Sequence, residues 1–237
     1  MGVMADFTHV ETWIFDLDNT LYPSDCRLFD QIDRRMTDFV VRVTGHDRER
    51  ARRLQKEYYA AYGTTLNGLM RNHDVAPEAF LDYVHDIDLA PVAENPDLAA
   101  YVAGLPGRRY VFTNGSVAHA QNVMGKLGID HLFDDIFDIV AADYVPKPHA
   151  QTYGKFLERH EIAPAASAMF EDMPQNLEAP YALGMTTVLI RSKALWIDDE
   201  PENMRPAGPG ETHDHVHYAV DDLTDFLSGV RHSGHKA

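Results

Sequence analysis

The chain has 237 residues, which is enough for one large domain or two modest ones with a sizeable core. Lys and Arg total 21 against 37 Asp and Glu. The formal net charge of -16 argues against nucleic-acid polymers and acidic membrane surfaces as partners. Cys26 is the only cysteine, which excludes an intrachain disulfide and favours a reducing, cytoplasmic location. The sequence has no run of about 18 apolar residues, so no membrane span is predicted.

The first predicted element is a short buried strand that ends in two acids. Apolar Trp13, Ile14 and Phe15 lead into Asp16 and Asp18, and a turn-forming Asn-Thr pair follows. Two unit negative charges about 4 Å apart repel by about 4 kcal/mol at an effective dielectric of 20, so a proton or a cation must offset the repulsion. Taken alone, the pair fits a solvated turn as well as a reactive site.

A helical stretch comes next. Apolar residues at three-to-four spacing predict a helix capped at Ser24 or Asp25 and ended by Gly45, and further helices over 47–62, 66–72 and 77–84. Thr113, which follows the second predicted strand, lies 97 positions after Asp16, and this distance far exceeds one crossover helix. Residues 23–92 are therefore predicted to form an inserted helical cap domain over the strand ends, with 1–22 and 93–237 as the core.

From about residue 93, short apolar runs alternate with helical patterns. Strands are predicted at 109–113, 138–141, 168–170 and 186–190, with helices at 96–103, 117–127, 153–160 and 177–183, and an edge strand at 217–220 precedes a helix at 223–227. Such alternation is typical of βαβ units with ligands at the carboxyl ends of parallel strands. We predict an α/β fold, a Rossmann-like parallel sheet with the inserted cap after its first strand.

Residues with reactive side chains follow these strands. Beyond Asp16 and Asp18 they are Thr113, Asn114 and Gly115 after the second strand, Lys147 beyond the third, and Glu171 and Asp172 after the fourth. Each group alone has a plain alternative, namely a turn, a surface loop or a helix cap. Together, at successive strand ends, they describe a phosphate site.

This order of motifs resembles the haloacid dehalogenase-like superfamily, and the segments FDLDNTLYP and FTNGS are most similar to its pyrimidine 5'-nucleotidase branch. The resemblance implies that Asp16 attacks phosphorus to form an aspartyl-phosphate and that Asp18 is the general acid and base. It also implies that Thr113 and the backbone amide of Asn114 hold the phosphoryl oxygens, where Gly115 leaves the backbone accessible. Lys147 would neutralise the negative charge of Asp16 and of the phosphate. Tyr22, adjacent to the first motif, is our candidate for a contact with the leaving group.

Charge balance indicates a metal independently of any family. Four acids and a phosphate dianion exceed what one Lys can balance, and carboxylate oxygens with a substrate phosphate suit Mg²⁺. We expect Asp16 and Asp172 to bind it by their side chains and Asp18 by its carbonyl, with Glu171 as a further ligand or a support for the others. Asn176 either orients these groups or is an exposed helix residue.

Two further features leave alternatives open. His213, His215 and His217 alternate, so on a strand they share one face and can hold a transition metal, although a solvated edge strand is the favoured interpretation. Residues 198–211 are rich in Asp, Glu, Pro and Gly, which predicts an exposed loop.

The sequence therefore favours Mg²⁺-dependent hydrolysis of a small phosphorylated metabolite, with a pyrimidine nucleoside monophosphate as substrate. The alternative is a phosphatase or phosphomutase for a sugar phosphate or a phosphoglycolate-like acid. Dehalogenation is disfavoured because a halide leaving group needs no proton from Asp18. A signalling receiver is disfavoured because here the D-x-D opens the chain, and a non-catalytic binding protein because every candidate catalytic group is present. Nothing in the sequence predicts the oligomeric state.

Overall fold

The computed structural model describes residues 5–192 and 205–232, and these divide into two compact units. Of the described residues, the first unit holds 5–25, 92–192 and 206–232, and the second holds 26–91 with Arg205. The second unit is thus mainly an insertion in the chain of the first. Its role as a cap stays a prediction.

The first unit is built on one sheet. Its strands are β1 (Thr12–Phe15), β2 (Arg108–Phe112), β3 (Asp135–Phe137), β4 (Ser167–Glu171), β5 (Thr186–Ile190) and β6 (Tyr218–Val220). They lie in the order β3-β2-β1-β4-β5-β6, and every neighbouring pair is parallel. This sheet with its flanking helices confirms the predicted α/β Rossmann-like fold class.

Nine α-helices lie in the described residues. They are α1 (Leu28–Thr44), α2 (Arg48–Tyr62), α3 (Thr65–His73), α4 (Pro77–Val84), α5 (Pro96–Gly104), α6 (Val117–Leu127), α7 (Ala150–His160), α8 (Glu178–Ala182) and α9 (Leu223–Ser228). The side chains of Asp47, Thr64 and Ser116 cap α2, α3 and α6 by accepting backbone N–H bonds in the first turn. A 3-10 turn, Ser24–Cys26, precedes α1, so that helix begins later than its predicted cap.

Strand β1 lies at the centre of the sheet, and all four of its residues are buried. The indole N–H of Trp13 donates to the carbonyl of Pro106 at 2.8 Å, and the ring of Phe15 stacks on Phe170 with centroids 4.5 Å apart. Burial of a Phe side chain contributes about 1.5–3 kcal/mol. Strands of a parallel sheet that is covered on both faces tend to be apolar without alternation, and Trp13, Ile14 and Phe15 follow this pattern.

The strand order reverses between β1 and β4. The chain adds β2 and β3 on one side of β1 and then crosses to place β4 on the other side. In open α/β sheets, ligands bind at such a switch point, outside the carboxyl ends of the strands. The residues that follow β1 and β4 therefore occupy the expected position of a site.

The prediction of a strand over 138–141 is wrong, because β3 ends at Phe137. The Asp138 carboxylate accepts from the backbone N–H of Ala141 at 2.8 Å, and its carbonyl accepts from the N–H of Ala142 at 3.0 Å. Aspartate commonly forms such local bonds, which turn the chain away from the sheet.

The prediction of an exposed loop over 198–211 is wrong for part of the segment. Residues 198–204 lie outside the described residues. Ala207 is fully buried, its N–H donates to the carbonyl of Asp172 at 2.8 Å, and its carbonyl accepts from the N–H of Ser192 at 2.7 Å. This stretch is therefore packed beside the residues that follow β4.

None of the helices in the described part of the chain is long and apolar enough to cross a membrane.

Candidate active site

Asp16 lies at the carboxyl end of β1. Its backbone N–H donates to the carbonyl of Phe170 at 2.9 Å, so the pairing with β4 continues up to the acid. The residue is only 7% exposed, and its Oδ1 accepts from Nζ of Lys147 at 2.7 Å. Burial is the largest cause that raises the pKa of Asp16 to about 7; Lys147 opposes the rise, and the charges of Glu171 and Asp18 add to it. Ionised Asp16 at neutral pH therefore depends on nearby positive charge.

Lys147 is a buried cation beside this acid. Its Nζ donates to Asp16 Oδ1 at 2.7 Å, to Glu171 Oε1 at 2.5 Å and to the carbonyl of Phe112 at 2.7 Å, which uses all three ammonium protons. Burial by itself lowers the pKa of Lys147, but the charges of Asp16 and Glu171 together outweigh burial and hold the pKa above its ordinary value. The ammonium therefore stays charged.

The side chain of Asn114 holds the loop that carries Lys147. Its Oδ1 accepts from the backbone N–H of Lys147 at 2.9 Å, and its Nδ2 donates to the carbonyl of Lys147 at 3.3 Å. The sequence predicted a role for the backbone amide of Asn114, and this two-point contact is an additional one. Asn114 and Lys147 are 33 positions apart, so their spacing in the sequence did not indicate this contact.

Thr113 opens the loop after β2. Its N–H donates to the carbonyl of Phe137 at 3.0 Å, and its Oγ1 accepts from the N–H of Gly115 at 2.9 Å. A hydroxyl that accepts this bond keeps its own proton for donation. The carboxylate of Asp138 accepts from the N–H of Val117 at 3.0 Å on the other side of the loop. The turn is therefore held from both neighbouring segments.

Glu171 is fully buried at the end of β4. It accepts from Lys147 at 2.5 Å, from Nδ2 of Asn176 at 2.8 Å and from the N–H of Met173 at 3.0 Å. Asn176 thus orients an acid of the site, as one of its two predicted alternatives proposed. With three donors already bound, Glu171 is placed to hold Lys147.

Asp172 is a buried acid with few donors. Among the described residues, its carboxylate accepts one long hydrogen bond, from Nδ2 of Asn19 at 3.4 Å. Burial, followed by the charges of Glu171 and Asp16, raises the pKa of Asp172 well above its ordinary value. This carboxylate therefore needs a proton or a cation.

Three of the acids can share one metal ion. An oxygen from each of Asp16, Glu171 and Asp172 lies within 4.8 Å of the others. Nearby, the buried Oδ1 of Asn19 has no hydrogen-bond partner among the described residues. Hard oxygen ligands with one balancing Lys147 suit Mg²⁺, so the residues present fit that ion. The side chain of Asp18 is not in this group, and metal binding by its carbonyl stays a prediction.

Tyr22 and His119 both contact Asp18. Its Oδ1 accepts from the hydroxyl of Tyr22 at 2.6 Å and lies 2.9 Å from Nε2 of His119. The sequence singled out Tyr22 only as a contact for the leaving group, which stays a prediction, and it missed His119. Its position in the sequence could have indicated it, because His119 lies in the first turn of the helix that follows the Thr113 loop.

The three alternating histidines do not lie on a strand, because β6 begins at Tyr218. The ring of His213 stacks on His215 at 5.2 Å, and Nδ1 of His217 lies 2.8 Å from Oγ1 of Thr187. These residues form no metal-binding group in the described part of the chain. The prediction of a strand through all three histidines, on which both the metal alternative and the favoured solvated edge strand depended, is therefore wrong.

Comparisons with known proteins point to one family. A model of the haloacid dehalogenase-like hydrolases matches residues 10–184. Phosphate metabolism protein 8 of Saccharomyces cerevisiae is 26% identical over 197 residues, which are 76% of this chain and 61% of that protein, so the match spans less than two thirds of its length. The glyceraldehyde 3-phosphate phosphatase of Methanopyrus kandleri is 25% identical over 211 residues, which are 82% of this chain and 89% of that protein.

A solved structure shares the fold. CbbY from Rhodobacter sphaeroides, in complex with phosphate, has a TM-score of 0.58 and 18% sequence identity, covering 93% of this chain and 99% of that chain. At this identity the likeness concerns the fold alone.

Proposed function

Because the chain belongs to the haloacid dehalogenase-like hydrolases, we propose that it is a Mg²⁺-dependent phosphatase that hydrolyses a small phosphate monoester through an aspartyl-phosphate. The observation that carries the proposal is the environment of Asp16. This acid follows the central strand, is bonded to a buried Lys147 and shares an acidic group with Glu171 and Asp172. A carboxylate next to a permanent cation is suited to approach an anionic phosphoryl group and attack it.

In the first step an oxygen of Asp16 attacks phosphorus, and the bond between phosphorus and the leaving oxygen breaks. Asp18 gives its proton to the departing alkoxide, which leaves as an alcohol. Lys147 balances the negative charge of Asp16 as the substrate approaches. The hydroxyl of Thr113 and the backbone amide of Asn114 bind the phosphoryl oxygens.

In the second step water attacks the phosphorus of the aspartyl-phosphate. Asp18, now ionised, takes a proton from this water, and the bond between phosphorus and the Asp16 oxygen breaks. Inorganic phosphate leaves, the Asp16 carboxylate is regenerated and Asp18 is again protonated. One water is consumed for each ester cleaved.

When bound, Mg²⁺ supplies positive charge that lowers the repulsion between the acids and the phosphate. Asp16 and Asp172 would hold it by their side chains and Asp18 by its backbone carbonyl. Glu171 would act by supporting Lys147, because its carboxylate already accepts three hydrogen bonds.

For the substrate, we propose a pyrimidine nucleoside monophosphate, on the similarity of FDLDNTLYP and FTNGS to that branch of the superfamily. A small phosphorylated carbohydrate is the second candidate. It is favoured by the match to the glyceraldehyde 3-phosphate phosphatase, which extends over 89% of that protein.

The test is phosphate release from a panel of UMP, CMP, AMP, glyceraldehyde 3-phosphate, glucose 6-phosphate and phosphoglycolate, with Mg²⁺ or with EDTA. We expect turnover that requires Mg²⁺ and is fastest with UMP and CMP. If these two do not exceed the sugar phosphates, the nucleotide proposal is wrong and the carbohydrate candidate replaces it.

The nucleophile is tested with Asp16→Asn, which we expect to lower kcat by at least about 10⁴-fold, since loss of a catalytic nucleophile has effects of this order or larger. Asp97→Asn is the matched control, because Asp97 is an exposed acid in the first turn of α5. Near wild-type turnover by folded Asp16→Asn would show that another group attacks phosphorus.

A further inference from the structure

His119 is a buried imidazole against the acid that we assign to proton transfer. The side chain is 1% exposed, and its Nε2 lies 2.9 Å from Oδ1 of Asp18. The Ser116 hydroxyl caps α6 by accepting the backbone N–H of His119 at 3.3 Å, which orients the first turn of the helix. A side chain in that turn leans back toward the helix N-terminus and the strand ends.

We propose that His119 is a positioning residue that, together with Tyr22, holds Oδ1 of Asp18 so that Oδ2 carries the transferred proton. The inference rests on the proposed phosphatase function. It assigns to His119 no contact with the substrate, and its effect on the reaction passes through the Asp18 carboxyl.

The physical basis of the proposal is that Tyr22 and His119 both contact one oxygen of Asp18. The Tyr22 hydroxyl donates to Oδ1 at 2.6 Å, and His119 Nε2 approaches the same atom at 2.9 Å. An ionised carboxylate can only accept hydrogen bonds, so Nε2 is the donor toward ionised Asp18. An oxygen that already accepts two hydrogen bonds is a poor site for a further proton. In the acid form of Asp18, the proton therefore resides on Oδ2 and Oδ1 is the carbonyl-type oxygen.

The same arrangement serves both steps of the reaction. Oδ1 accepts hydrogen bonds whether or not Oδ2 is protonated, so both donors stay bound while the proton leaves Oδ2 for the alkoxide and while Oδ2 takes a proton from water. A carboxyl group must be held within hydrogen-bond reach of the atoms between which it moves a proton. The side chain of Asp18 is 17% exposed and its carboxylate can rotate, so the two donors limit this freedom.

The alternative is a histidine that only stabilises the fold. Loss of such a residue would lower the rates of all reaction steps, with all substrates, to the same degree. A residue that acts through Asp18 affects only the steps that need a proton transfer, so the choice of leaving group separates the two roles.

The experiment uses His119→Ala with two substrates, the best alkyl ester from the panel and p-nitrophenyl phosphate, whose leaving group departs without a proton. With the alkyl ester we expect kcat to fall about 10- to 100-fold with little change in KM, because general acid-base catalysis contributes typically about 10² to 10⁴ and positioning accounts for part of it. With p-nitrophenyl phosphate we expect a burst of p-nitrophenol at the wild-type rate, followed by slower steady-state turnover, because water activation still needs Asp18.

Three further variants complete the design. His119→Gln retains a side-chain N–H donor and should recover part of the lost kcat. Tyr22→Phe removes the other described donor to Oδ1 and should produce the same pattern with a smaller fall. His131→Ala is the matched control, since this histidine is exposed and its ring lies 3.6 Å from the carboxylate of Asp130, which is exposed as well.

The positioning role would be overturned if the burst and the steady-state turnover fell equally in both His119 variants. It would also be overturned if His119→Ala kept the wild-type kcat. If the wild-type protein releases no phosphate from any ester, or if Asp16→Asn turns over normally, the proposed function fails instead. The two failures are therefore distinct.

Discussion

Replacing Asp172 with Asn should stabilise the metal-free protein while removing a ligand of the proposed metal site. Asp172 lies within 4.8 Å of oxygens from Asp16 and Glu171, and two unit charges at that distance repel by about 3.5 kcal/mol at an effective dielectric of 20. Burial and these two neighbours raise its pKa well above the ordinary value of 3.8. Asparagine has a similar shape and carries no charge, so the substitution removes the unfavourable interaction.

The size of the gain follows from proton linkage. The folded protein keeps a proton on Asp172 that the unfolded chain releases above pH 3.8. The contribution of Asp172 to wild-type stability is therefore greatest below pH 3.8 and is lost as the pH rises from there toward the folded-state pKa, by at most about 1.4 kcal/mol per pH unit. The stability advantage of Asp172→Asn over the wild type should therefore grow as the pH rises above 3.8, until the pH reaches the raised folded-state pKa.

Urea unfolding in EDTA at pH 5, 6 and 7 measures this difference, with Asp97→Asn as the exposed control. Adding Mg²⁺ at about 100 times its Kd should stabilise the wild type by about 2.7 kcal/mol and leave Asp172→Asn unchanged. A pH-independent difference would refute the electrostatic reasoning. Equal stabilisation of both proteins by Mg²⁺ would show that Asp172 is not a ligand.

Four other substitutions test the packing of the site and of two helices. Lys147→Met leaves buried carboxylates without their cation and should cost about 3–5 kcal/mol at pH 8 and less at pH 5, measured by urea unfolding at both pH values. Asn114→Ala removes both bonds to the Lys147 backbone and should cost about 1–3 kcal/mol and lower kcat, which unfolding and phosphate release will show. Gly68→Ala should destabilise the protein by about 1–3 kcal/mol, because the added Cβ would lie 2.3 Å from Cγ of Tyr58. Gly125→Ala adds a Cβ with no atom within 4 Å and should stabilise the protein by about 0.5–1 kcal/mol in the same unfolding assay.

Most elements were predictable because their signals are local. The second helix from its Asp47 cap to Tyr62, and β5 at Thr186–Ile190, lie where apolar spacing and end signals placed them. The error at residues 138–141 has a local cause as well. Asp138 bonds the backbone of its own turn, and this competes with strand pairing in a way that an apolar pattern does not reveal.

The sequence by itself determined the fold class and the acids that follow β1 and β4, because a short apolar run and the residue after it are neighbours in the chain. It also determined that the acids outnumber Lys147, which is a matter of counting charges. These features follow from periodicity and composition alone.

Only the tertiary structure decided how the acids differ from one another. Glu171 accepts three hydrogen bonds and supports Lys147, whereas the Asp172 carboxylate accepts one long hydrogen bond from the described residues and has a raised pKa. Asp18 meets His119 across 101 positions of sequence. Such pairings depend on which strand ends are neighbours in the sheet, and a sequence pattern with a range of a few residues does not contain that information.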